Sequence, residues 1–188
     1  MNEVLDLFQK TGALLHGHFI LRSGLHSREF FQCALLLQDA GVAAHVCGLL
    51  AEKLKNYEAS TVISPAVGGI IVGQEVARQL GKKHIFVEKD GSGGLVLRRG
   101  FQIHPGERYL VAEDVVTRGG RVLETIQIIR DLGGIVVAAG SIVDRSGGQL
   151  PDFGCPFVSL VQMTVETFDP ADLPEDLRSI PASKPGSK

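Results

Sequence analysis

The densest chemistry in this sequence lies between Tyr109 and Arg121, YLVAEDVVTRGGR. An apolar run ends in two adjacent carboxylates, Glu113 and Asp114, followed by Val115, Val116 and Thr117 and then by Arg118, Gly119, Gly120 and Arg121. Read as a buried strand that feeds a helix through a glycine turn, each part has a use. Ligands of open α/β sheets sit beyond the carboxyl ends of the strands. The first turn of a helix presents N–H groups that lack helical partners and attract an anion. Glycines let the backbone come close to a phosphate and adopt positive φ. Two carboxylates just ahead of the turn can accept hydrogen bonds from two sugar hydroxyls. One short segment would thus hold a phosphorylated sugar at both ends. A plain helix cap explains a Gly-Gly turn, but not the acid pair, apolar pair and Thr that precede it.

A second candidate is the basic, glycine-containing stretch from Lys89 to Arg99. Its cations are Lys89, Arg98 and Arg99, and Gly91, Gly93 and Gly94 would let it close over a substrate and exclude water. The competing reading is a solvated hairpin. The six histidines show no metal-ligand spacing, and HExxH, Walker A, GxGxxG and nucleophile-elbow patterns are absent. A divalent cation would therefore arrive with a phosphate ligand rather than sit in a protein cage.

The elements around these residues alternate. Val4, Leu5, Phe8 and Thr11 to Leu15 form a rough helical stripe, and residues 18–31 read as two short strands around a Ser-Gly turn. Ala43, Val46, Leu50 and Leu54 share one helix face, which Asp39 or Gly41 could open. A strand over 60–64 leads through the loop PAVGG to a helix that closes at Gly81. Strands follow over 84–88 and 108–116, separated by a long mobile loop or hairpin over 89–107. Val122, Ile126 and Ile129 face inward from the next helix, and strands over 134–144 and 157–165 complete the pattern. Apolar strands that are continuous rather than alternating, interleaved with helices, predict an α/β fold with a mainly parallel sheet covered on both faces. The last twenty or so residues contain Pro170, Pro174, Pro181 and Pro185 and predict an irregular wrap.

The chain has 188 residues, 44% of them hydrophobic and 21% charged, which suits one globular domain with a core of its own. A net charge of -2 argues against a broad nucleic-acid surface. The longest apolar stretch, Gly134 to Val143, is too short to span a bilayer, and the first residues lack a signal-peptide pattern. Cys33, Cys47 and Cys155 form no CxxC pair and point to buried thiols in a reducing, cytoplasmic setting.

The Tyr109–Arg121 segment resembles the phosphoribosyl-diphosphate (PRPP) motif of type I phosphoribosyltransferases: a hydrophobic strand, two acids, an apolar pair, Thr and a small Gly-rich loop. Other stretches are similar to the orotate phosphoribosyltransferase family. Arg22 to Gly24 with Ser27 to Gln32 resembles its base-binding segment, and Ser64 to Gly69 its diphosphate loop. Val143 to Arg145 matches the strand end whose arginine meets orotate. Phe86 to Phe101 resembles the mobile catalytic loop of one bacterial subgroup, and the ending IPASKPGSK also looks like that subgroup. Small or hydroxyl residues are usual where Arg118 and Arg121 stand.

The resemblance implies one domain over 1–188, with a small hood from about 1–35 and 150–188 over the site. It implies Mg2+-dependent transfer of the 5-phosphoribosyl group from PRPP to N1 of orotate, giving orotidine 5′-phosphate and diphosphate in pyrimidine biosynthesis. Glu113 and Asp114 would hold the ribose hydroxyls. Val115, Val116, Thr117, Arg118, Gly119, Gly120 and Arg121 would hold the 5′-phosphate. Ala66, Val67, Gly68 and Gly69, with Mg2+, would hold the diphosphate, and Lys89 with one of Arg98 or Arg99 would close over it. Lys89 and Asp114 would be catalytic. Thr117, Arg145, Arg22 and Phe30 or Phe31 would meet orotate: Arg145 offers bidentate donors to a carboxylated pyrimidine and the Phe ring a wall. The family is dimeric, so residues 89–99 would reach the neighbouring subunit's site, and neither nucleic acid nor membrane would be a partner. Two rivals are a purine phosphoribosyltransferase and a non-enzymatic regulator that senses PRPP.

Overall fold

The structure is a computed structural model that describes residues 3–21 and 23–185. Arg22 lies outside the described residues, as does the very end of the tail. The described chain opens with α1 (Glu3–Lys10), an antiparallel hairpin of β1 (Leu14–Ile20) and β2 (His26–Phe31), and the helices α2 (Cys33–Leu37) and α3 (Ala40–Leu54). Strands and helices then alternate as β3 (Thr61–Pro65), α4 (Gly68–Leu80), β4 (Lys83–Lys89), β5 (Leu95–Leu97), β6 (Arg108–Val116), α5 (Gly120–Asp131), β7 (Ile135–Asp144) and β8 (Phe157–Gln162). A single turn, α6 (Glu175–Arg178), lies in the tail.

The central sheet has the order β5-β4-β3-β6-β7-β8, parallel throughout except for the antiparallel edge strand β5. Successive residues of β6 go to opposite faces, as a pleated strand requires. Tyr109 and Val111 pack with Val122, Ile126 and Ile129 of α5. Leu110 and Ala112 join Val46, Leu50 and Leu54 of α3 and Val72 and Val76 of α4. With both faces covered there is no polar side to alternate with, so the strand reads as one apolar run.

The caps follow the expected chemistry. Asp39 opens α3 by accepting the N–H groups of Gly41 and Val42 at 2.8 and 3.0 Å. Gly81 closes α4 in the left-handed conformation at φ 65°. The N-terminal stripe is a correction: α1 stops at Lys10, Gly12 turns the chain at φ 67°, and Leu14 and Leu15 pair with Phe31 and Phe30. Helical spacing there was fortuitous, because a distant strand partner leaves no local periodicity. α2 was not legible at all, and β8 ends at Gln162 rather than running on to Val165.

The tail wraps the β1–β2 hairpin. His26 and Phe168 exchange backbone hydrogen bonds, Ile20 N–H donates to Ser183, and His18 Nδ1 donates to the Ile180 carbonyl at 2.7 Å. His18 Nε2 lies 2.5 Å from His26 Nδ1. Arg28 pairs with Asp176 at 2.7 Å and with Glu166 at 2.6 Å, and stacks over the Phe168 ring.

Behind the start of α4, Ser64 Oγ and His84 Nε2 share a hydrogen bond at 2.7 Å, with Gly73 so close that any Cβ there would clash with both. Burial holds His84 down at about 4 from an ordinary 6.5, so the ring is neutral near pH 7. The unfolded chain therefore takes up a proton between pH 6.5 and about 4 that the folded chain refuses, and stability falls as pH drops through that window. Urea midpoints across the window should fall more steeply for the native protein than for His84→Gln. Equal slopes would assign the acid sensitivity to another group.

Candidate functional site

Strand pairing assembles the site. In the β6–β7 register Val116 stands opposite Asp144, so Thr117 and Arg145 leave the sheet side by side, and the Arg145 N–H donates to the Val116 carbonyl at 2.8 Å. β3 pairs with the other edge of β6 and delivers the turn Ala66–Val67, joined by a cis peptide, and the first turn of α4. Gly68 and Gly69 face the two acids. A Cβ at Gly69 would lie 3.0 Å from Glu113 Oε1, and one at Gly68 would collide with Asp114 Oδ2.

Glu113 is only 7% exposed. Burial first, and the Asp114 charge second, push its pKa well above the usual carboxylate range. Its Oε1 accepts the Asp114 N–H at 3.0 Å, and Asp114 Oδ1 accepts the Val115 N–H at 2.8 Å. The acids are thus pinned by their own backbone, next to a helix N-terminus that favours negative charge.

Past Thr117 and Arg118, both exposed, Gly119 caps α5 at φ 74° and Gly120 begins it. The first N–H groups of α5 have no helical partner and form a cradle for an anion. Arg118 has no partner among the described residues. The Arg121 guanidinium turns away from the cradle: Nη1 pairs with Glu124 at 2.8 Å and Nη2 donates to the Gly93 carbonyl at 2.9 Å. Arg121 therefore contributes backbone to the turn and side chain to the β4–β5 connection.

That connection takes the hairpin form, one of the two readings of 89–107. β4 and β5 pair through Lys89 and Leu95, and Asp90 Oδ1 ties the turn by accepting from Ser92 N, Ser92 Oγ and Gly94 N. Arg99 is engaged by Glu88 at 2.9 Å. Lys89 and Arg98 are exposed and without partners among the described residues, so they remain the available cations. Sequence reading missed Glu88, Asp90 and Glu124. The Arg121/Glu124 spacing and the Asp-Gly-Ser-Gly run were the available signals.

Arg145 has its guanidinium 5.8 Å from the Phe31 ring, and its Nε is buried without a partner among the described residues. Burial lowers its pKa, which Glu29 partly restores. Phe31 is buried and packs edge-on against Phe8, whereas Phe30 faces Phe19, so the pleat brings only Phe31 beside Arg145. Cys33, buried at the start of α2, has its thiol pushed up by burial and then by Asp114 and Glu113, with Arg145 opposing. The acid pair and the guanidinium therefore converge from β6 and β7 on one region. No cluster of metal-ligating side chains occurs among the described residues, and no described helix is long and apolar enough to cross a membrane. The arrangement offers two helix N-termini for two anions, a carboxyl pair between them for a diol, and a guanidinium beside an aromatic ring for a planar anion.

Residues 35–173 match the family model for the phosphoribosyl transferase domain. The chain is 47% identical over 186 residues to the orotate phosphoribosyltransferase of Desulforamulus reducens, covering 99% of this chain and 96% of that one. It is 48% identical over 187 residues to that of Pelotomaculum thermopropionicum, covering 100% and 97%. Among solved structures, orotate phosphoribosyltransferase from Aeropyrum pernix superposes with a TM-score of 0.73 at 27% identity, over 85% of this chain and 93% of that one.

The two turn glycines should respond differently to substitution. A Cβ at Gly119 would stand 2.9 Å from both Phe153 and Pro151 on a left-handed backbone, whereas Gly120 has nothing within 4 Å. Gly119→Ala should cost about 2 kcal/mol or more in denaturant unfolding. Gly120→Ala should be neutral or slightly stabilising. Equal losses would show that packing does not set the turn.

Proposed function

The chain belongs to the orotate phosphoribosyltransferase family, and we propose that it transfers the 5-phosphoribosyl group of PRPP to N1 of orotate, releasing diphosphate and forming orotidine 5′-phosphate. The observation that carries the choice of base is the half-buried Arg145 side chain beside Phe31, whose buried Nε has no partner among the described residues. A carboxylated pyrimidine supplies the acceptors that this group lacks, and a purine base has no carboxylate to offer it.

The reaction breaks the bond from ribose C1 to the diphosphate oxygen, whose electron pair leaves with diphosphate. N1 of orotate bonds to C1 and gives up its proton. Charge develops on the ribose ring, so catalysis depends on positioning and on electrostatics. The start of α5, from Thr117 to Arg121, would hold the 5′-phosphate, and Glu113 and Asp114 the ribose hydroxyls. The turn from Ala66 to Gly69 would hold the diphosphate at the N-terminus of α4. Lys89, with Arg98, would approach it from the hairpin, since Arg99 is engaged by Glu88. Mg2+ bound with the diphosphate would neutralise the leaving group. Asp114, packed against Gly68, suits a hard cation that keeps its waters and is carried by phosphate oxygens. Arg145, Phe31 and Thr117 would orient orotate. The β1–β2 hairpin and its tail would form a hood over the base. A cytoplasmic homodimer completes the reading; Val67, 82% exposed just before α4, and Ile71 of α4, 46% exposed, give apolar surface near the site for a second copy.

Diphosphate release from PRPP should be measured in parallel with orotate, uracil, adenine and hypoxanthine, and orotate alone should support turnover. Release with adenine or hypoxanthine but not orotate would overturn the assignment. Arg145→Ala should raise the orotate KM about tenfold or more while leaving PRPP affinity nearly unchanged. Equal losses for both substrates would reduce Arg145 to a structural partner of Glu29.

Glu113 adds a proton-linked signature. Its pKa is raised in the free protein, and hydroxyl donors on the ribose favour the charged form, so PRPP binding should release a proton at pH values where the free carboxyl is protonated. Titration calorimetry in buffers of different ionisation enthalpy reads that release, and Glu113→Gln should abolish it. Equal proton release from native protein and Glu113→Gln would place the diol elsewhere.

A further inference from the structure

The first turn of α5 grips the β4–β5 hairpin as well as presenting N–H groups. Arg121 Nη2 donates to the Gly93 carbonyl at 2.9 Å, and Glu124 Oε1 accepts the Leu95 N–H at 2.5 Å. The two side chains pair with each other at 2.8 Å. Two opposite charges on one helix turn thus hold a backbone acceptor and a backbone donor on either side of Gly94. The side chains are 20% and 35% exposed, so the contacts are partly shielded from water. The tip they hold is already ordered by Asp90.

We infer that Arg121 and Glu124 are positioning residues that dock the hairpin tip onto the turn proposed to cradle the 5′-phosphate, so that Lys89 and the cradle keep a fixed relation. The role of Lys89 rests on the proposed transferase reading; the docking does not. An exposed ion pair three residues apart on a helix contributes little by itself. Such a pair gives no reason for Gly93 O and Leu95 N–H both to end on it. Docking also explains an arginine at the start of a helix, where the macrodipole disfavours a cation. The charge is matched by Glu124 and directed at a carbonyl of another element.

The test joins hydrogen exchange in the ligand-free protein to steady-state kinetics. In Glu124→Ala, amides over 92–97 should exchange about tenfold faster or more, with the rest of the sheet unchanged. Glu124→Gln keeps an acceptor for Leu95 and should hold most of that protection. With PRPP and orotate, kcat should fall about tenfold in Glu124→Ala and in Arg121→Ser while both KM values change less than about threefold. The double variant should be no worse than the worse single one, because the pair acts as a unit. If Glu124→Ala does not fold, Arg121→Ser reads the bond at Gly93. Unchanged exchange in both single variants overturns the inference. So does a tenfold loss of PRPP affinity in Arg121→Ser with none in Glu124→Ala, which would make Arg121 a direct phosphate ligand. Faster exchange in the variants, together with a native protein that turns over PRPP with no base, would overturn the transferase reading and support the docking.

Discussion

The approach of the first turn of α4 to the carboxylates near the end of β6 governs the site. Gly68 and Gly69 leave the helix bare there, and Asp114 and Glu113 fill the space that side chains would take. The contact fixes the separation of two helix N-termini, one at the end of β3 and one at the end of β6. It also explains why an acid as buried as Glu113 is tolerated. Burial raises its pKa, it lies at the positive end of α4, and one oxygen is satisfied by the next residue's N–H. The two helix starts thus inherit their spacing from the parallel pairing of β3 and β6 rather than from loops.

Around this rigid centre the remaining walls are borrowed from elsewhere in the chain. Arg145 comes from β7, the neighbour of β6, and is set by register. Phe31 comes from the N-terminal hairpin and is set by its packing on Phe8 and Leu14. The basic hairpin is an extension of β4, fastened at its tip to α5 and at its base by Glu88 and Arg99. Each wall rests on an element that also carries part of the core, which is how a site made of mobile-looking sequence acquires definite geometry.

The parallel sheet was legible because its strands carry two-sided burial as continuous apolar runs, and β6 was readable to its last residue. Asp39 and Gly81 announced their helix ends by cap chemistry. The acid pair and the glycine turn stood out because few other demands require that order of residues. What escaped was long-range. Nothing local in Leu14 and Leu15 distinguishes strand from helix when the deciding partners are Phe31 and Phe30. The direction of Arg121 was hidden likewise, because its acceptor at Gly93 lies in an element whose position only the folded sheet defines. The glycines over 91–94 looked like freedom, whereas Asp90 uses them to close a tight turn.

The clasp between the N-terminal hairpin and the tail has a consequence for how the molecule is made. Arg28 and Glu166 are 138 residues apart, and His18 meets the Ile180 carbonyl across 162. A chain emerging from the ribosome at about 5–20 residues per second presents the hairpin well before its partners exist. Until they arrive, Arg28 has no carboxylates from the tail, and the backbone of His26 faces water instead of Phe168. The sheet, whose strands mostly pair with near neighbours in sequence, can consolidate meanwhile. The hairpin that brings Phe31 beside Arg145 gains these tail contacts late, so a chain stalled before residue 166 would hold a formed turn at the start of α5 beside a hairpin without its clasp.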